Sequence, residues 1–312
     1  MAGKDFYGDY GNVSVPKKAI QAQEVIYQAS QLLAVVSQSG IPTVQTNDLM
    51  YKEDVTRGRV GLDDVQMDAG YDHTRLTYKP MTATLKWSLY PYLITDGSRI
   101  QSRDAAALWR DAVASASEFF AAARDYRTLA ALRAGNGTSA TAAATAAWDA
   151  ANADVETDVL AALAYVVANS NVQNGEKISV VMPADVSFEV KKLTLIQNIQ
   201  RTMQDYLEKS FNLQFLTYRA MLDDAGTATM DGLSTSALVF VQGLKTAKAL
   251  EYSMAEAARR GVPLVEHSRV HGRGDQYTHK MATGCLVTWD GINTYSETAP
   301  LTNRIYEITS VT

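Results

Sequence analysis

Cysteine is almost absent: Cys285 is the single one in a chain of 312 residues. No intramolecular disulfide and no cysteine-based metal cluster can therefore form. No run of eighteen apolar residues occurs, so no helical membrane span is expected. The opening MAGKDFYGDYGN lacks the apolar core of a secretory signal, and the sequons at Asn12 and Asn136 then read as chance. Neither sign of charge dominates. Lys and Arg number 29 against 34 Asp and Glu, a net charge of −5. That excludes the basic footprint of a sequence-specific nucleic-acid binder, but not a container that encloses nucleic acid without gripping it. Catalytic signatures are missing as well. There is no G-x-S-x-G elbow, H-E-x-x-H pair or kinase set, and GNGT at 135–138 follows a helical pattern and lacks the lysine of a phosphate loop.

What is present is ordinary globular composition, 46% hydrophobic and 20% charged, with length enough for a large core. Periodicity predicts a helix over 16–40, opened by Pro16 and stopped by Gly40. The strongest helical pattern is 98–135, where Leu108, Trp109, Val113, Phe120 and Leu129 recur at three- and four-residue spacing. Ser98 with Gln101, or else Ser102, would cap it, and Gly135 would stop it. Some 30 residues of helix span about 45 Å, longer than a small domain is wide. The Ala/Thr-rich stretch 136–154 reads as a connection with some helical character, and 155–170 as an amphipathic helix. Ile178–Met182 and Ala237–Val241 are short apolar runs typical of buried strands, with Pro183 opening a helix after the first. Residues 197–211 look helical, 213–222 strand-like, and the chain from 263 onward β-rich. Helices and strands are unevenly segregated, which favours an α+β fold.

Residues 51–95 stand apart. YKEDVTRGRVGLDDVQMDAGYDH is polar and glycine-punctuated, and TRLTYKPMTATLKWSLYPYLIT alternates like a strand but is too long for one. A two-stranded ribbon of this kind is marginal alone, and its open edges invite pairing with another chain.

The most site-like cluster is Glu266, His267, His271, Asp275 and His279, with Cys285 nearby. A His-x3-His pair binds one metal on a helix, but Val265, Val270, Gly272 and Gly274 point to strand and turn. Four strand residues separate side chains by about 13 Å, too far for one ion. Exposed polar residues on a strand face are the expectation here, with a metal-dependent hydrolase as a remote alternative. Arg273–Asp275 spells RGD, and its surroundings have the composition of a turn. The adjacent pairs Asp63-Asp64 and Asp223-Asp224 read as solvated.

The order of these elements resembles the tailed-phage major capsid protein family, the Hong Kong 97-type fold shared with encapsulins. Asp125, Leu129, Leu132, Gly135, Gly137 and Thr138 match the family's closing pattern for its long spine helix. The resemblance runs from about residue 16 to 300. It implies an N-terminal arm (1–45), an extended β-hairpin E-loop (46–95), and a peripheral domain (96–174 and 263–290) carrying the spine helix 98–135. An axial domain would take 175–262 and 291–312. It further implies a non-enzymatic subunit, without cofactor, metal or membrane, made in the host cytoplasm and housed in the virion. That subunit would assemble as hexamers and pentamers into an icosahedral shell around double-stranded DNA, held without sequence specificity. Asp54, Arg57, Arg59, Asp63, Asp64, Asp68 and Arg75 of the E-loop would make inter-subunit contacts. Separate scaffolding, portal or decoration proteins are the further implied partners, and an encapsulin-like compartment is the alternative. Some family members crosslink a Lys to an Asn. Lys52, Lys79 and Lys86 lie in the E-loop here, but no partner Asn is marked, and that chemistry is not carried over.

Overall fold

A computed structural model describes residues 35–46, 50–56, 78–102, 105–170, 172–173, 175–192, 194–196, 199–222, 227–252, 257, 259–261, 264–270 and 272–312. The architecture is α+β, built on two five-stranded sheets. In the first, β1 (Thr43–Thr46), β11 (Ala247–Tyr252), β13 (Gly274–Val287) and β12 (Val265–Val270) lie in that order, and β4 (Lys86–Thr95) also pairs with β13. The second runs β5 (Thr141–Ala143), β14 (Ile305–Thr309), β10 (Ala237–Val241), β6 (Ile178–Pro183), β9 (Leu213–Tyr218). Two ribbons stand outside them, β2 (Met50–Thr56) with β3 (Tyr78–Thr84), and β7 (Thr194–Ile196) with β8 (Ile199–Thr202).

The second sheet is covered on both faces, as continuous apolar runs require. Its side chains divide by the period of two. Val180, Met182, Val239, Val241, Tyr306 and Ile308 pack with Val155, Val159, Ala162 and Val166 of helix α4 (Val155–Asn169). Val181, Leu216, Leu238, Phe240 and Ile305 pack on the opposite face with Leu129 and Leu132 of α3 (Ala105–Ala134) and with Val35, Val36 and Ile41.

The end of α3 explains the pattern matched in the sequence. Asp125 accepts hydrogen bonds from the backbone N–H of Val35 (2.9 Å) and Val36 (3.5 Å). Gly135 closes the helix: its N–H reaches the Ala131 carbonyl (2.9 Å), and its own carbonyl accepts from Thr302 N–H (3.0 Å). A Cβ on Gly135 would lie 2.7 Å from a Val287 methyl, and one on Gly137 only 2.0 Å from Asn303 Oδ1. Thr138 N–H then points at Asn293 Oδ1 (3.4 Å), in a node where Asp290 also holds the N–H groups of Ile292, Asn293 and Asn303. These glycines are required by close approach, not by backbone twist.

Three expectations need correcting. The helix expected over 98–135 is divided: α2 (Asp96–Gln101) is capped by Thr95, whose hydroxyl accepts from Ser98 N–H, and Ser102 is its C-cap rather than the start of α3. No described residue of 136–154 is helical; the segment forms β5 and turns, fixed by Trp148, whose indole N–H donates to buried Asp158 (2.9 Å). Residues 199–202 form β8 before helix α6 (Met203–Phe211), while helix α5 (Ala184–Lys192) starts just after Pro183. The helix expected at 16–40 falls largely outside the described residues; its described end, α1 (Val35–Gln38), is helical, and Gly40 (φ +72°) ends it as expected.

Overpacking a tight glycine site costs about 1–3 kcal/mol. Gly137→Ala is expected to lower the unfolding free energy by about that amount in chemical denaturation. Gly97→Ala, in helical backbone with only the Thr95 hydroxyl within 4 Å, should be neutral or slightly stabilising. Equal effects at the two positions would contradict the close-approach account.

Candidate functional site

The ribbon of β2 and β3 is antiparallel, in register from Met50 opposite Thr84 to Thr56 opposite Tyr78. Its root is fixed by alternation: Met81, Ala83 and Leu85 are buried against Leu250, Tyr252, Ala282 and Leu286, while Thr82 turns away. Thr82 N–H donates to the Glu297 carbonyl (2.9 Å), and its hydroxyl to the Glu297 carboxylate (2.7 Å). The backbone of Asp54 lies opposite Pro80. Arg57, Arg59, Asp63, Asp64, Asp68 and Arg75 lie outside the described residues.

Strand β4 continues from this root and has two unlike faces. Ser88, Tyr90, Tyr92 and Ile94 turn toward α3 and β13 partners of the same side, with Tyr90 against Phe119 (ring centroids 5.5 Å). Arg127 of α3 pins the strand, donating to the carbonyls of Lys86 (2.5 Å) and Trp87 (3.2 Å) and to the Ser88 and Thr283 hydroxyls. The other face carries Trp87, Leu89, Pro91 and Leu93, with Trp87, Leu89 and Leu93 exposed at 38%, 52% and 42%; beyond the strand end, Ile100 is 85% exposed. The alternation expected to return the ribbon continues into a strand that pairs with β13 and carries an open apolar face. The signal lies in residues 89–94, LYPYLI, which are apolar or aromatic at both sets of alternate positions.

Of the 266–279 cluster, Glu266 lies on an exposed strand face as expected, while Asp275 and His279 form a buried structural node. Asp275 is fully buried and pairs with Arg99 of α2, with Arg269 (3.4 Å) and with His267 (3.3 Å). Arg269 also reaches Asp96 (2.8 Å). These pairs tie α2 to the β12–β13 hairpin. His279 is fully buried too, stacked on Tyr92 (5.3 Å) with Nε2 at 2.9 Å from the Tyr92 hydroxyl. Burial lowers its pKa to about 4, so the ring is neutral at physiological pH. Spacing alone could not reveal this, because the partners Arg99 and Tyr92 lie far upstream and meet the hairpin only through the β4–β13 register. Glu266 is exposed and pairs with Lys280; His271 lies outside the described residues. The RGD tripeptide straddles the hairpin turn and β13, with its Asp buried. Burial pushes the thiol of half-buried Cys285 up to about 12, which disfavours the thiolate at neutral pH. Among the described residues, no three His, Cys, Asp or Glu side chains converge to hold a metal ion. The node holds α2, β4 and the β12–β13 hairpin together.

No family model matches the chain, and no curated protein matches it in sequence. Solved structures do match in shape. A virus-like particle from Pyrococcus furiosus aligns with TM-score 0.59 and 7% identity, over 92% of this chain and 98% of that one. The capsid of a native GTA particle aligns at 0.55 and 13%, over 91% of each chain. The capsid of Myoviridae phage XM1 gives 0.55 and 13%, over 88% of this chain and 90% of that one. Identity this low speaks to architecture alone, and across about nine-tenths of its length the chain has the Hong Kong 97-type capsid fold.

Proposed function

We propose that the protein is a major capsid subunit, which self-assembles through hexamers and pentamers into an icosahedral shell around the double-stranded DNA of a bacterial or archaeal virus. The observation that carries this reading is end-to-end similarity to capsid chains, with coverage near nine-tenths in both directions. A short shared motif on an unrelated scaffold would not give that. The open apolar face of β4 supports it, because soluble monomers rarely leave several large hydrophobic side chains side by side in water. The net charge of −5 supports a wall that DNA slides along without adhering.

In this reading residues 1–45 are the arm, 46–95 the E-loop, 96–174 with 263–290 the peripheral domain, and 175–262 with 291–312 the axial domain. Strand β11 falls within the axial range in sequence but pairs with β13, so the two domains would share a sheet. Asp54, Arg57, Arg59, Asp63, Asp64, Asp68 and Arg75 would dock on neighbouring subunits through charges of both signs. The subunit is then structural rather than catalytic, resides in the virion, and works with separate scaffolding, portal or decoration proteins. A second reading, an encapsulin-like compartment shell, is favoured by the similarity to the Pyrococcus furiosus particle. Double-stranded DNA in native particles supports the virus; a protein cargo supports the compartment.

Electron microscopy of the purified protein is expected to show closed shells, capsomer rings or tubes. A strictly monomeric protein at high concentration would overturn the proposal. Deleting residues 52–75 should leave a folded, soluble subunit, by circular dichroism and thermal melting, that forms no shells. Normal shells from that deletion would rule out the E-loop assignment.

A further inference from the structure

We propose that the carboxyl group of Asp125 is a proton-operated latch that sets how tightly residues 35–46 hold to the body of the subunit. Asp125 is buried, and its two oxygens accept from the N–H groups of Val35 and Val36. The segment's other described attachments are apolar or use neutral groups. Val35, Val36 and Ile41 pack with Leu129 and Leu132, and the Ser39 carbonyl accepts from the Ser179 hydroxyl (3.2 Å). The Pro42 carbonyl accepts from Ala249 N–H (3.1 Å), and β1 runs parallel to β11. Asp125 thus brings an ionisable group to a joint otherwise held by groups that do not titrate.

The charged and titratable groups around it come from each packed element. On its own helix, Arg124 adds positive charge, but its guanidinium is bonded to Glu251 of β11 (2.5 Å); Tyr126 follows in sequence. From β9, Tyr218 donates its hydroxyl to the Met230 carbonyl. Its pKa is raised first by burial, then by the charges of Asp125 and Asp231. Asp231 itself accepts from the N–H groups of Leu233 and Ser234.

Burial dominates at Asp125. It raises the carboxyl from 3.8 to about 6, against the Val35 hydrogen bond, the Arg124 charge and the Val36 hydrogen bond, all of which pull it down. The neutral carboxyl keeps an acceptor for Val35 N–H and sheds the charge that burial penalises. When residues 35–46 lift away, water reaches the group and its pKa returns toward 3.8, so lifting releases a proton. The contribution to docking is complete below 3.8 and is lost as pH rises through about 6. The latch is tight in acid and loosens toward neutrality. The docked-to-lifted ratio falls by about tenfold between pH 5 and pH 8. The inference rests on the geometry of this joint, independent of the shell reading.

Hydrogen–deuterium exchange of the full chain, read by mass spectrometry and corrected for intrinsic rates, tests this. Protection of peptides spanning 35–46 should fall about tenfold from pH 5 to pH 8, while peptides of β6 and β10 stay unchanged. Asp125→Asn should flatten the profile, and Asp231→Asn should leave it intact. A flat wild-type profile overturns the latch whether or not Asp125→Asn folds, and so does an equal fall in Asp125→Asn.

Discussion

The last three turns of α3 are the constraint on which the rest of the fold depends, because they touch both sheets at once. Toward the first sheet, Arg124 makes a fully buried ion pair with Glu251 of β11, and Arg127 binds carbonyls and hydroxyls of β4 and β13. Toward the second, Leu129 and Leu132 enter the core, and Arg133 pairs with Glu307 of β14 (2.6 Å). A buried pair such as Arg124–Glu251 gains little over apolar packing, but removing one partner leaves a desolvated charge that costs about 3–5 kcal/mol. Its value lies in register: a helix turned or slid by one residue would strand both charges. Polar contacts fix where the helix sits, and leucines supply the burial.

That geometry explains which parts of the fold were legible in the sequence. Strands β6 and β10 read directly as short apolar runs, because each lies between two layers and exposes no face. The closing pattern of the spine was legible for a related reason. Gly135 and Gly137 sit where backbone meets Val287 and Asn303, and no side chain fits there. Residues 136–154 were misread because alanine favours helix locally. Tertiary bonds override that preference: Trp148 N–H reaches the Val311 carbonyl and Ala144 N–H the Thr309 carbonyl, so the C-terminal strand pulls the segment into extended form. The 266–279 cluster failed in the opposite sense. Its residues were polar enough to suggest an exposed face, yet Asp275 and His279 are buried by partners from β4 and α2. A single strand's sequence does not carry that information.

Strand β4 shows how a local pattern can exceed what the single chain uses. An antiparallel sheet with one face in water alternates apolar and polar residues. In β4 the inward side is occupied by Ser88, Tyr90, Tyr92 and Ile94, and the outward side by Trp87, Leu89, Pro91 and Leu93. Its neighbour β13 keeps the alternation, offering Lys280, Thr278 and Gln276 opposite those outward residues. The strand is composed for burial on two sides and is covered on one. Water contact at Leu89 and Leu93 is an uncompensated cost to a solitary subunit, roughly 25 cal/mol for each Å² of apolar surface that a partner could cover. Under the proposed function that cost would be recovered on assembly, and the ribbon rooted at Met81 leads directly into this strand. The marginal ribbon and the over-apolar strand thus share one physical need, a surface to cover them, which the proposed assembly would supply.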